Sequence, residues 1–467
     1  MNGEYKDFGF EFQNKREIDK GLKISDQELD SRWFNQEFLT ELDEKLKEVS
    51  KLFEDPVNNL QKILDYFSEL HKMFTNGADN CFIPKLDTFE DNFIIHHLVE
   101  VVKNTNIIGR NLLLKTLNLI YDFTLGDIFY SKQLIEENYL DYIINYLQNQ
   151  QDETINTNII YTLKNLVFDC PEAFSENIIE ILDSSLYNSR GSETLPIAIF
   201  IRLYTYKNPI KSFTIQAHII AIIRYLILLG QEDIDEYVGY IYINNLRNSP
   251  ENMKIHPKVI GIDCINEFLT RITSYNTIEA MHFLYHLINS FPEVLPQLNI
   301  DFDDLFDRID KEDAETSRTI FIILGLILDK MKLEEFDLNY IKFISLINDL
   351  LENSPEVDYQ FKSDSFYFIT VFLSKVTTDI FSQINLIEYL KLVENYFENT
   401  DENNKFNLKI CSVLKVMQPF IDNLGESYQN LKVSFYQTIE SVLELIDDYV
   451  EPELDSFRLQ FCPNDEK

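Results

Sequence analysis

Three side chains four residues apart, Tyr161, Asn165 and Asp169, form the chain's clearest pattern for contacting a ligand. On a helix, positions i, i+4 and i+8 lie along one face, so the three point the same way. An asparagine amide can hold the N–H and C=O of an extended peptide, an aromatic ring can pack a lysine stem, and a carboxylate can take its ammonium. Leu114, Asn118 and Asp122 repeat the spacing earlier in the chain, Phe200 and Tyr204 later, and Ile262 with Asn266 once more. A structural alternative stands beside each reading. Asn118 and Asn165 could bond the neighbouring unit and hold a stack of helices together. Tyr161 and Phe200 could be core aromatics at helical spacing.

Other chemistries find less in the sequence. The glycines never fall into a G-x-G-x-x-G or G-x-x-x-x-G-K spacing, which excludes the usual dinucleotide and Walker-type nucleotide sites. No G-x-S-x-G elbow occurs, and the seven histidines are scattered, so a serine or cysteine nucleophile lacks an evident base. His282 and His286 have the i, i+4 spacing of a metal pair, but a third ligand is not apparent and apolar residues surround them. The acidic run from Asp301 to Glu315 lacks the glycine and glutamate of a calcium loop in register, and reads as a solvated helix start. No catalytic residue, metal or cofactor is therefore expected.

The elements that must position these residues are helices. Apolar residues make up 45% of 467, including 36 Phe and 25 Tyr, enough for an extended core, while 12 Gly and 13 Pro are too few for a turn-rich sheet protein. The net charge of −37 disfavours nucleic acid and anionic membrane, and complements a basic partner. Many of those acids could equally be solvated outer faces. Cys81, Cys170, Cys264, Cys411 and Cys462 stand far apart, which argues against a zinc knuckle or a disulfide framework and fits a reducing compartment. The first residues are polar and lack the apolar core of a secretory signal. The most apolar window, Thr319 to Leu328, is half a membrane span. A cytoplasmic or nuclear location is expected.

Residues 1–25 read as a flexible arm, 26–446 as a helical-repeat solenoid and 447–467 as an acidic tail able to cap the last repeat through Val450, Leu454 and Phe457. Within the solenoid, Asn111 to Asp122 recurs 47 residues later as Asn158 to Asp169, with Asn118 matching Asn165; a third copy, shifted by 39, puts Phe200, Tyr204 and Asn208 opposite Tyr161, Asn165 and Asp169. An amphipathic helix pair cannot bury its apolar face alone, so roughly seven to nine such units must stack into a superhelix with a long inner surface.

The unit of helix, polar turn and a second helix of the form aromatic-x-x-x-Asn-x-x-x-Asp resembles the armadillo repeat, and importin alpha in particular. The resemblance rests on Tyr161-Thr162-Leu163-Lys164-Asn165-Leu166-Val167-Phe168-Asp169 and its copies, over residues 90–270. It implies an all-α, right-handed superhelical solenoid of armadillo/HEAT type and a non-enzymatic adaptor. Its groove would take a basic, extended segment of the nuclear-localisation type on Asn118, Asp122, Tyr161, Asn165, Asp169, Phe200, Tyr204 and Asn266. The family's carrier, importin beta, is recruited by an arginine-rich arm, whereas here Lys6, Lys15, Arg16, Lys20 and Lys23 are scattered among acids. The alternative is a structural or regulatory scaffold that presents its repeats to a folded partner.

Overall fold

The computed structural model describes residues 31–75, 82–104, 109–149, 152–188, 191, 193–309, 314–330, 340–353, 359–398, 405–446 and 452–461. The arm read at 1–25, most of 447–467 with Val450, and Cys81 and Cys462 lie outside them.

The regular elements of the described residues are helices. Those of nine or more residues are numbered here α1 (Gln36–Leu52), α2 (Leu60–Thr75), α3 (Ile94–Lys103), α4 (Arg110–Leu125), α5 (Ile128–Glu136), α6 (Tyr139–Asn149), α7 (Glu153–Asp169), α8 (Asn177–Asn188), α9 (Thr194–Lys207), α10 (Phe213–Leu229), α11 (Glu232–Asn248), α12 (Ile262–Tyr275), α13 (Thr277–Ser290), α14 (Ala314–Lys330), α15 (Tyr340–Asn353), α16 (Tyr359–Lys375), α17 (Leu386–Glu398), α18 (Lys405–Asp422), α19 (Gln429–Leu445) and α20 (Pro452–Phe461). Short polar residues start them. Asn35 accepts from the Glu37 amide at 2.8 Å to cap α1, and Asp152 caps α7 while its carboxylate also binds Arg110 at the start of α4. Gly230, at φ 63°, ends α10 in the left-handed conformation that glycine adopts without penalty.

The chain divides into two compact units between residues 268 and 269. In the first, α2, α4, α7, α9 and α11 stack side by side as one layer, and α3, α6, α8 and α10 stack as a second. Ile120, Leu163, Ile197 and Ile223 of these layers are buried. In the second unit α13, α14, α16, α18 and α20 form one layer, and α15, α17 and α19 the other. The apolar window Thr319 to Leu328 is buried inside α14. Layered helix pairs of this kind are the all-α solenoid expected from the sequence.

Two stretches read as acidic can be followed into the structure. The stretch read as an acidic tail able to cap the last repeat contains α20, whose Leu454 and Phe457 are fully buried and which packs on α18. Asp301 caps a short helix by accepting from the Asp304 amide at 3.0 Å, so the acidic run does begin a helix, while residues 310–313 lie outside the described set. Among the described residues no helix is long and apolar enough to cross a membrane.

Candidate protein-binding site

The trio on α7 does share a face, but that face is turned toward the preceding helices. Asn165 is fully buried, and its Nδ2 donates to Thr124 Oγ1 on α4 at 3.0 Å. Asp169 is buried and accepts from Ser131 Oγ on α5 at 2.6 Å. Asp122, also buried, sits 2.6 Å from His71 Nδ1 on α2. Burial pushes the Asp122 carboxyl up, outweighing the downward pull of His71, while the hydrogen bond to Asp122 raises the imidazole. Phe200 has no exposed surface and lies against Phe174, with ring centroids 5.5 Å apart. Tyr204 is buried beside it, its hydroxyl pushed up to about 12 by burial. Asn266 is buried as well. Asp122, Asn165, Asp169, Phe200, Tyr204 and Asn266 are therefore enclosed within the stack.

Asn118 and Tyr161 are different: both are half-exposed. The register between α4 and α7 explains the split. Contacts pair Tyr121 with Tyr161, Thr124 with Asn165 and Arg110 with Asp152, residues 40 to 42 apart. The sequence self-match pairs Asn118 with Asn165 at 47. The difference is five to seven residues, up to two helical turns, and an apolar pattern of helical period matches itself nearly as well after a slip of that size. At the contact register Asn118-x-x-Tyr121 on α4 stands beside Asn158-x-x-Tyr161 on α7. Searching for that pair at a shift of 40 would have found Tyr121 and Asn158, which the longer shift conceals.

These residues form an open strip on the layer. Leu114, Lys115, Asn118 and Tyr121 are half-exposed along α4, and Thr157, Asn158 and Tyr161 along α7. The two tyrosine rings meet edge to face with centroids 6.2 Å apart. Burial holds the Tyr121 hydroxyl up at about 12 and raises that of Tyr161, so both remain neutral donors at physiological pH. Lys164 Nζ lies 5.6 Å from the Tyr161 ring centroid. That ring face already carries a cation from its own helix. Amides, phenols and ring edges at successive helices suit an extended backbone crossing the stack.

A shallow recess in the second unit is lined by Tyr285 and Asn289 of α13, Ile322, Leu326, Asp329 and Lys330 of α14, and Tyr367 of α16. Its acid is occupied: Lys409 Nζ binds the Asp329 carboxylate, and Lys375 Nζ donates to the Asp329 carbonyl at 3.1 Å.

No family model matches the chain, and no curated protein matches it by sequence. Solved structures do. An engineered protein, the subject of a structural-genomics crystal structure, is similar at a TM-score of 0.58 and 11% identity, over 90% of this chain and 98% of that one. A structure described as showing a phosphorylation switch that controls the interaction between cadherin and beta-catenin is similar at a TM-score of 0.56 and 11% identity, over 85% and 86%. At that identity the likeness is one of fold: an all-α stack of armadillo type.

Proposed function

We propose that the chain is a non-catalytic helical-repeat scaffold that binds a protein partner, and that an extended segment of the partner lies along the strip Leu114, Lys115, Asn118, Tyr121, Thr157, Asn158 and Tyr161. The observation that carries this reading is the paired Asn-x-x-Tyr of α4 and α7, half-exposed on adjacent helices with the two tyrosine rings 6.2 Å apart. The asparagine amides would hold the segment's backbone N–H and C=O, and the tyrosine edges would set its path. A structure of beta-catenin and cadherin shares the fold, which supports a protein as the class of ligand. Lys115 is itself part of the strip, which suits a neutral or acidic segment.

The chain's net charge of −37 favours a second reading, an importin-alpha-like adaptor for lysine-rich segments with importin beta as its carrier. That reading needs Asp122 and Asp169 to leave His71 and Ser131 and turn to the ligand. Fluorescence anisotropy of labelled, unstructured peptides of matched length separates the two. The strip reading expects acidic or neutral peptides to bind, with affinity reduced about ten-fold or more by Asn118→Ala combined with Tyr121→Ala. Binding of lysine-rich peptides alone, lost in Asp122→Asn with Asp169→Asn, would transfer the function to the adaptor reading. Binding of neither class sinks both.

A further inference from the structure

Phe93 breaks two local rules at once. Its φ of 52° and ψ of 33° put a bulky residue in the left-handed region, which costs any side-chain-bearing residue about 1–2 kcal/mol. It is also 67% exposed, so the ring recovers none of that cost by burial. Asparagine or glycine would fill the position with less strain. Residues that contradict local energetics without a local gain are found where a function needs them.

The backbone around it is fixed. Asn92, buried, donates from Nδ2 to the Thr88 carbonyl at 2.8 Å and to Asp43 Oδ1 at 3.3 Å, and Thr88 Oγ1 donates to the same carboxylate oxygen at 2.6 Å. Ser50 Oγ on α1 donates to the Asn92 carbonyl at 2.7 Å. The Phe93 amide is tied to the Glu90 carbonyl at 3.0 Å, and its own carbonyl accepts from the His97 amide at 3.0 Å in the first turn of α3. The ring is thus presented outward from a rigid corner, ready to be buried without further loss of chain entropy. Acids surround that corner. Glu90 and Asp91 immediately precede the buried Asn92 and are exposed, and Asp43 lies beneath with Lys47 bound to it at 2.5 Å.

We propose that Phe93 is a fixed hydrophobic anchor for a folded protein partner whose surface offers an apolar socket rimmed by lysine or arginine. The partner's chemistry follows from the two features together: a ring that needs a pocket, and the Glu90 and Asp91 carboxylates that a basic rim would meet. This inference rests on the scaffold reading and adds a second surface to it, carried by the turn into α3 rather than by the layer of α4 and α7. It also gives the acidic excess of the chain one defined use.

The test places the photoreactive analogue p-benzoylphenylalanine at position 93 of the full chain in its native cell, and in parallel at position 121 on the strip. The expected result at 93 is a single protein adduct, mapped to a peptide that combines apolar and basic residues. The adduct should fall several-fold in raised salt and in the Glu90→Lys, Asp91→Lys variant. No discrete adduct at 93, or one indifferent to those charge reversals, overturns the proposal; an adduct at 121 in the same experiment then leaves the strip reading standing. An adduct at 93 with none at 121 removes the strip and keeps the anchor. A second variant guards against misfolding. Phe93→Asn should leave the folding equilibrium unchanged or raise it by about three- to ten-fold, because asparagine tolerates the left-handed conformation, while lowering several-fold the recovery, with the full chain, of the protein crosslinked at position 93. A fall in stability on Phe93→Asn would show that the ring is structural and end the proposal.

Discussion

Both units fasten their helices with polar rungs and with aromatic rings, but the polar partners differ. In the first unit polar side chains cross from helix to helix: His71 to Asp122, Asn165 to Thr124, Ser131 to Asp169, and Asn244 to the Arg202 carbonyl at 3.0 Å. In the second unit the polar rungs are charged, Arg318 of α14 on Asp364 of α16 at 2.7 Å and Lys409 of α18 on Asp329 of α14, and aromatic rings meet across the same helices. Phe321 of α14 meets Phe361 and Phe368 of α16 at 5.4 and 5.8 Å, Phe366 meets Phe406 of α18 at 5.4 Å, and the Tyr367 ring lies against α14 at Gly325. Hydrogen bonds are directional, so a polar rung fixes the register of its neighbour; ring packing fills volume and tolerates more sequences. The amide rungs of Asn165 and Asn244 have charged counterparts in Arg318–Asp364 and Lys409–Asp329, and with that change of partner the Asn-bearing pattern fades after Asn266.

The largest effect should come from cutting the aromatic rungs. Phe321→Ala removes a fully buried ring that touches two others, and a loss of about 3–5 kcal/mol in the second unit is expected. Hydrogen exchange resolved by peptide would show it as lost protection in α14 and α16. Unchanged protection there would mean that the rings pack without holding the layer together.

Next is the glycine that admits Tyr367. A Cβ at Gly325 would stand 2.5 Å from Tyr367 Cε1. Gly325→Ala should therefore cost about 1–3 kcal/mol by overpacking, despite alanine's better helix propensity. Combining it with Tyr367→Leu, which removes the obstructing ring, should return part of that loss in urea titration. A stabilised Gly325→Ala protein would show that the close approach of α14 and α16 is not maintained in solution.

A smaller effect is expected from the polar rungs. Asn165→Ala deletes the amide bonded to Thr124 inside the stack, and about 1–3 kcal/mol of stability should go with it, read as loosened α4 and α7. The same variant separates glue from ligand contact: peptide affinity at saturating fold should change little, whereas Asn118→Ala should lower affinity and leave stability nearly alone. The reverse pattern would return Asn165 to the binding surface.

Much of the fold was legible in the sequence because its signals are local. Scarce glycine and proline and apolar runs of helical period lead to an all-helical stack of repeated units. The site was half legible. Spacing shows that Tyr161, Asn165 and Asp169 share a face, but not what that face meets, and an inner helix covered on both flanks buries polar residues that look like groove liners. Asn165 and Asp169 are such residues; Asn118 and Tyr161, on the open edge, are not. The two-turn slip between a shift of 47 and one of 40 hid Tyr121 and Asn158 for the same reason: helical periodicity repeats faster than the unit that contains it.

The finest contrast is within the first unit, between two histidines that titrate in opposite senses. His71 is raised above its ordinary value by its bond to Asp122, so the stability it adds is complete below about pH 6.5 and is lost as pH rises through the higher folded value. His97, stacked on Phe53 at 4.4 Å between centroids, is lowered to about 4 by burial, with His96 adding to the shift. Its contribution is complete above about pH 6.5 and is lost as pH falls toward 4. Together they predict a stability maximum near neutrality. In His97→Phe the acid limb of the thermal-unfolding profile should flatten, and in His71→Gln the alkaline limb should. If His71→Gln leaves the alkaline limb intact, the Asp122 rung does not depend on the imidazolium, and the polar fastening of the first unit is carried by neutral hydrogen bonds such as that of Asn165.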